Sequence, residues 1–374
     1  MFNWLKKTQN YLPPVYKEDG SKTRIFVGVS GGVDSSVSAA LLKDKGYDVT
    51  GVFMRTYYPP EIKCDWREER LDALRVCEHL DIPFLECDLE EDYKQNVFDY
   101  MIEAYKNGIT PNPDVFCNKY VKFGGFLKWA LEQDANYVAT GHYAQNIFNT
   151  DGVFELVMGA DQNKDQTYFL YQLQQHQLKH ALFPIGHIEK SQVRTIAKKY
   201  GLFTATKKDS QGLCFVGPVD MRDFLGKYIE DKPGDVLDLN GQVIGSHKGA
   251  FFLTIGQRTG FEIAPEHRTP DMPKLFIVSK DASANTVTVS RDVHAQNTDT
   301  ITLAQISWTD QTLVVGETVQ TRIRHRGKLL PATLELVENN QYTFSFETVH
   351  TGVAAGQSLV LYRNNVCLGG GIVI

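Results

Sequence analysis

The chain has 374 residues, 42% hydrophobic and 22% charged, with a formal net charge of −6. That balance excludes a disordered chain and a generally basic nucleic-acid binder, and the length exceeds one comfortable core, so two or three domains are expected. No run of about 18 apolar residues appears, and "MFNWLKKTQNYLPP" lacks an apolar signal stretch, so the expectation is a cytoplasmic protein without a membrane span.

The first predicted element is a buried parallel strand over residues 24–29, and a helix follows over 33–45 with Val33, Val37, Ala40 and Leu41 on one face. "DVTGVFM", "IPFLECDL" and "YVATGHYA" read as further strands; "EERLDALRVCEHL", "VFDYMIEAYKNG" and "KFGGFLKWALEQD" read as helices. This alternation predicts an α/β fold, a doubly wound parallel sheet over roughly 20–150. "KDQTYFLYQLQQHQLKHALFPIG" and "KSQVRTIAKKYGL" extend it with helical material. Beyond about Gly212, Pro-Gly and Asn-Gly pairs separate short β-like runs. From 281 onward "TVTVS", "QTRIRH", "TLELV", "YTFSF" and "SLVLYR" suit a small barrel. The expected division is an extension over 1–23, a nucleotide domain over 24–214, a central β-rich domain over 215–280 and a C-terminal β-barrel over 281–374.

"GVSGGVDSS" at 28–36 lies where the first strand hands over to the first helix. A Gly-rich turn there aims backbone N–H groups and the positive end of the helix dipole at an anion, usually a phosphate. Gly31 and Gly32 let the backbone approach closely, Ser30, Ser35 and Ser36 add hydroxyls, and Asp34 suits a magnesium ion bridging phosphate oxygens. The stretch is neither a GxxxxGK[ST] loop nor a GxGxxG turn. Its SGGxDSS pattern resembles the PP-loop of ATP pyrophosphatases, which cleave ATP between the α- and β-phosphates and adenylate a substrate. The plain alternative is a Gly/Ser turn capping a helix.

The six cysteines form no CxxC pair and have no metal-ligand spacing. Cys77, Cys87 and Cys367 sit in apolar runs and read as core, and Cys64 is an additional thiol in "RTYYPPEIKCDWREER". Two others lie in polar, Pro- or Gly-rich loops. "TPNPDVFCNKYVKF" sets Asp114 three residues before Cys117 at a helix start, where a thiol becomes more nucleophilic; "KKDSQGLCFVG" sets Cys214 among Lys207, Lys208 and Asp209.

Together with "YVATGHYA", "KDQTYFLYQL", "LFPIG", "TIGQR" and "CLGGGIVI", these motifs resemble the tRNA-specific 2-thiouridylases (tRNA-uridine 2-sulfurtransferases) over nearly the whole chain from about residue 24. The resemblance implies that ATP adenylates O2 of the wobble uridine in tRNAs for Lys, Glu and Gln. Sulfur then arrives as a persulfide on Cys214, passed from a cysteine desulfurase directly or through carriers. It implies that Cys117 is the nucleophile, able to form a disulfide with Cys214; beside the base, a carboxylate such as Asp114 suits an acid/base or base-orienting role. ATP would be held by Gly28, Val29, Ser30, Gly31, Gly32, Val33, Asp34, Ser35, Met54 and Gly141, and the target base by Asn112, Pro113 and Asp114. His142, Lys164, Asp165, Gln166, Arg324, His325 and Gln357 match the family's tRNA contacts. Strand alternation further places Arg322, Arg324 and Arg326 on one side, as a phosphate-tracking surface requires.

Plainer readings stand beside these. His142 suits a satisfied histidine at a strand end, Lys164–Gln166 a helix start, and "QTRIRHRGK" a solvated hairpin face. The residues before the first strand and "RTYYPPEIKCDWREER" depart from the family's usual wording. A PP-loop ligase acting on a small metabolite would leave both loop cysteines idle, and a non-catalytic RNA-binding or sulfur-carrier protein would leave the loop idle. An iron–sulfur cluster on Asp114, Cys117 and Cys214 lacks the expected spacing.

Overall fold

β1 (Arg24–Gly28) and β2 (Asp48–Arg55) are buried on both faces along most of their length, which a parallel strand achieves only between two helical layers. The computed structural model describes residues 10–59, 66–208, 221–269, 271–295, 298–350 and 353–374. Between these strands lies α1 (Val33–Asp44); α2 (Trp66–His79) and β3 (Phe84–Asp88) follow. α3 (Glu90–Tyr93) runs into α4 (Tyr100–Lys106) through a π-helical stretch, Lys94–Asp99. α5 (Pro113–Phe116) likewise runs into α6 (Phe126–Glu132) through π-helical Cys117–Gly125. Next come β4 (Tyr137–Ala139), the hairpin β5 (Ala144–Phe148) and β6 (Phe154–Met158), the one-turn helices α7 (Thr167–Leu170) and α8 (Gln175–Leu178), β7 (Ala181–Leu182) and α9 (Lys190–Lys199).

The parallel sheet has the order β3-β2-β1-β4-β7. Alternation along β1 sends Ile25 and Val27 into a cluster with Val37, Leu42 and Val193, and Phe26 into the opposite cluster with Val52, Phe126 and Phe183. The expected α/β architecture is therefore observed, with local corrections. "YVATGHYA" is not one strand: the chain leaves the sheet after Ala139 and enters another at Ala144. The run 164–186 is mostly not helical, holding α7, α8 and β7 between turns. Part of the extension has a structural role, because Asn10 Nδ2 donates to Phe183 O at 2.6 Å, Tyr11 N–H to Asn146 O at 2.6 Å and Tyr47 O–H to Pro13 O at 2.5 Å.

After α10 (Met221–Leu225), a second sheet is built from β8 (Gly234–Leu237), β9 (Val243–His247), β10 (Phe261–Ile263), β11 (Phe276–Asp281) and β12 (Thr286–Ser290), in the order β10-β9-β8-β12-β11. The expected boundary at 281 cuts the β11–β12 hairpin, so "TVTVS" belongs to the central domain. The last domain comprises β13 (Thr298–Trp308), β14 (Thr318–Arg322), β15 (Leu330–Glu338), β16 (Gln341–His350), β17 (Ser358–Arg363) and β18 (Val366–Val373). Long β13 pairs with both β16 and β18 and closes these strands into a barrel. The β5–β6 hairpin adds to the barrel's β18 through β6, joining first and last domains in one antiparallel sheet. Among the described residues no helix is long and apolar enough to cross a membrane.

Candidate functional site

The order β3-β2-β1-β4-β7 reverses direction between β1 and β4, the place where open α/β sheets bind ligands at their carboxyl ends. Both flanking loops are lined by backbone. Gly31 has φ +69°, and a Cβ there would lie 2.7 Å from Asp72 Cβ. A Cβ on Gly141, just past β4, would lie 2.7 Å from the Ser35 nitrogen. Among the described residues no side chain caps the twelve-residue α1 at Gly32, which leaves its first N–H groups available to an anion. Ser35 Oγ accepts from Ser30 N–H at 3.2 Å, and Ser36 Oγ donates to Gly32 O at 2.7 Å, so the hydroxyls shape the turn. Met54 packs closely on the end of β1: a Cβ on Gly28 would meet its Cε at 2.7 Å. These residues fit a polyphosphate.

Asp34, expected to hold magnesium, already has partners. Lys190 Nζ donates to its two oxygens at 2.8 and 2.7 Å, and Tyr143 O–H donates to Oδ1 at 2.7 Å. Lys190 opens α9 with its side chain only 11% exposed, above the Tyr143 ring. A second lysine fastens the loop from behind, since Lys207 Nζ donates to Gly31 O at 3.1 Å and to Asp72 at 2.7 Å. Arg194 in turn donates to the carbonyls of Ala205 and Lys207. Sequence reasoning missed Lys190, Tyr143 and the role of Lys207. Cys214, Asp209 and Cys64 lie outside the described residues.

Pro113 occupies the first turn of α5, where its missing N–H costs nothing, with Asn112 before it and Asp114 beside it. Cys117 sits at the seam where α-helix becomes π-helix, fully buried in the cluster that also contains Met54. π-helical segments are rare and concentrate at functional sites. Here the widened turn lets Gly125 press against α3: a Cβ would lie 2.7 Å from an Asp92 carboxylate oxygen. Asn118 Nδ2 donates to Phe169 O at 3.2 Å. Cys77, Cys87 and Cys367 are core thiols as expected, each pushed up to about 12 by burial.

Several residues matched to tRNA contacts face inward instead. His142 packs against the rings of Phe123 and Phe183 and bonds Thr140 Oγ1 at 2.7 Å; burial, then Lys122, holds its imidazole well below the ordinary range. Asp165 is 0% exposed at its side chain and accepts from Arg322 at 2.6 Å and Thr167 Oγ1 at 2.8 Å. Gln166 Oε1 accepts from Tyr143 N–H at 2.9 Å. The expected row of Arg322, Arg324 and Arg326 does not form. β14 ends at Arg322, which turns into the protein, and the chain bends so that Arg326 takes φ +59°. Arg324, Arg326 and Lys328 are exposed on that turn, and Lys164 is half-buried. His325 packs against Phe169 with ring centroids 4.5 Å apart and the planes tilted by 37°, and it is pushed down to about 4 by burial and then by Arg326. Gln357 Nε2 donates to Thr110 O at 3.0 Å.

Three family models match in succession: the tRNA methyl transferase HUP domain over residues 23–218, the tRNA methyl transferase PRC-barrel domain over 222–291 and the aminomethyltransferase beta-barrel domain over 298–373. The tRNA-specific 2-thiouridylase MnmA of Nitrosomonas europaea is 43% identical over 359 residues, covering 95% of this chain and 99% of that protein. The protein of the same name from Lactococcus lactis subsp. cremoris is 41% identical over 361 residues, covering 94% and 95%. Among solved structures, the U34-tRNA thiolase NcsA from Methanococcus maripaludis aligns at 18% identity with a TM-score of 0.35, over 57% of this chain and 68% of that one.

Proposed function

The chain belongs to the tRNA-specific 2-thiouridylase family, and from that premise we propose that it catalyses ATP-dependent 2-thiolation of uridine in tRNA. The observation that carries this reading is the backbone-lined phosphate loop at the sheet's switch point, whose neighbour Met54 shares a buried cluster with Cys117. A phosphate cradle and a helix-borne thiol on one core suit activation of an oxygen followed by its replacement by sulfur. The C2 oxygen of uracil is a poor leaving group until it is activated.

In finer terms, the phosphates of ATP lie over the N-terminus of α1. O2 of a flipped-out wobble uridine attacks the α-phosphorus and pyrophosphate leaves. The terminal sulfur of a Cys214 persulfide adds to C2, and AMP leaves with the oxygen. The Cys117 thiolate then attacks Cys214 Sγ. The inner S–S bond breaks, its electron pair passes to the sulfur that becomes the thione, and a Cys117–Cys214 disulfide remains for a dithiol to reduce. Asp114, three residues before Cys117 on the same helical run, orients the base or moves its proton. The substrates of this reading are tRNAs for Lys, Glu and Gln, the sulfur donor is a cysteine desulfurase or its carrier, and the setting is the cytoplasm. Among the described residues no group of three or more His, Cys, Asp or Glu builds a metal cage. A magnesium ion accompanying ATP would be held by Asp34 in place of Lys190 and would neutralise phosphate charge.

The test is mass analysis of tRNA nucleosides after incubation with protein, ATP, magnesium and a persulfide donor. Sulfur in place of oxygen on uridine is the expected product. A methylated or unchanged uridine overturns the reading, and adenylation of a small acid in its place would favour the metabolite ligase.

A further inference from the structure

We propose that the C-terminal barrel is a working part of the base pocket, holding the loop before α5 in position through a clasp whose key side chain is Gln357. This rests on the thiolation reading above. The segment between α4 and α5 has little means of ordering itself. Pro111 and Pro113 lack N–H groups, and the turn that ends α4 is closed by Ile109 N–H donating to Ala104 O at 2.9 Å. At Thr110, between those two stretches, both backbone polar groups go to the barrel. Its N–H donates to Ala355 O at 3.0 Å, and its carbonyl accepts from Gln357 Nε2 at 3.0 Å.

The approach is built in. Gly356 has φ +91°, and a Cβ on it would strike Ile109 Cγ2 and come within 2.7 Å of Thr110 O. The barrel side of the clasp is tied to the last strand, with Gly356 N–H donating to Val373 O at 2.9 Å and Val373 N–H to Gln357 O at 2.8 Å. A second tie runs through Tyr168. Its buried hydroxyl shares its one proton between Ser358 O and Ile323 O, each at 3.0 Å. Ile323 leads directly into the exposed basic turn, and β14 and β17 are neighbours in register, so that turn and the clasp share one stretch of barrel. RNA held by the turn thereby loads the loop that leads to Asp114 and Cys117. Gln357 is a positioning residue: it acts through Thr110, not by touching the reacting atoms.

The test uses the full chain with Gln357→Glu, which keeps shape but replaces the donor with a carboxylate facing the Thr110 carbonyl. Gln357→Met carries the same test should the first variant not fold. Thiolation kcat should fall about tenfold, the scale of one lost hydrogen bond, while tRNA Kd stays within about twofold. Hydrogen exchange over residues 108–117 should accelerate. A loss that appears in tRNA Kd instead of kcat, an unchanged kcat, or unchanged exchange in that segment would each overturn the clasp. Wild-type protein that thiolates no tRNA would sink the functional reading, whereas the exchange comparison would still decide the clasp.

Discussion

Asp34 stands in a motif that announces itself, whereas Lys190, whose ammonium reaches both its oxygens, comes 156 residues later at an ordinary helix start. The loop was legible because nine consecutive residues carry it; Lys190, Tyr143 and Lys207 converge on it only through the fold. Removing Lys190 leaves a carboxylate unneutralised beside the phosphates, and two unit charges about 4 Å apart near a protein surface interact by roughly 4 kcal/mol before screening. Lys190→Met should therefore weaken ATP binding by at least about tenfold in calorimetry. The double variant with Asp34→Asn should recover part of that loss, because the two residues are coupled. ATP affinity equal to wild type in Lys190→Met would remove the lysine from the nucleotide site. Cys117 was also legible, but its full burial was not, since a Pro-rich turn looks exposed in sequence. Cys117→Ser is nearly isosteric, so the fold and ATP affinity should survive while thiolation turnover is lost. Near-normal turnover in a single-turnover assay would take the nucleophile's role from it.

At the scale of elements, the long apolar strands and their helices were legible because burial on both faces leaves an unbroken hydrophobic run. The β5–β6 hairpin carried a local signal, Asp151-Gly152 between alternating residues, hidden by the strand–helix alternation around it. The run 164–186 misled because Gln and Leu favour helix, yet its glutamines serve distant backbone: Gln175 Nε2 bonds Phe154 O and Thr309 O, and Gln177 Nε2 bonds Phe123 O. The π-helical stretches have no sequence signature beyond Gly124-Gly125. Where β14 ends decides two neighbouring arginines differently. Arg322→Ala strips the partner from a fully buried Asp165 and should cost about 3–5 kcal/mol of stability by denaturant unfolding. Arg324→Ala should leave stability unchanged, weaken tRNA binding and lower the slope of log affinity against log salt by about 0.7–0.9. If Arg324→Ala kept the wild-type slope, the basic turn would not be a phosphate contact.

Across the whole molecule, the net charge of −6 sits oddly with an RNA substrate until local placement is considered: the cations of the basic turn face solvent, while Arg322 is withdrawn. The same interior sets the response to acid. His142, His187, His247 and His325 are each held below 6.5, in every case chiefly by burial. A histidine neutral in the fold but protonated when unfolded contributes its full stability above about pH 6.5. That contribution is lost as pH falls toward its folded value, about 4 for His325. The carboxylates held below their ordinary range, Glu86 and Asp238 among them, release their contributions only at lower pH, near and below 4. Between pH 6.5 and 5 the four histidines act in the same direction, opposed by Glu69, whose carboxyl is raised by burial and takes up its proton more readily in the fold. Buried His142 alone supplies a slope of up to about 1.4 kcal/mol per pH unit there. The melting temperature should fall steadily from pH 7 to pH 5, and less steeply in His142→Gln, whose amide can still bond Thr140 but takes up no proton. A wild-type melting temperature that is flat across that interval, or a variant that falls just as steeply, would mean that His142 is not neutral in the folded core.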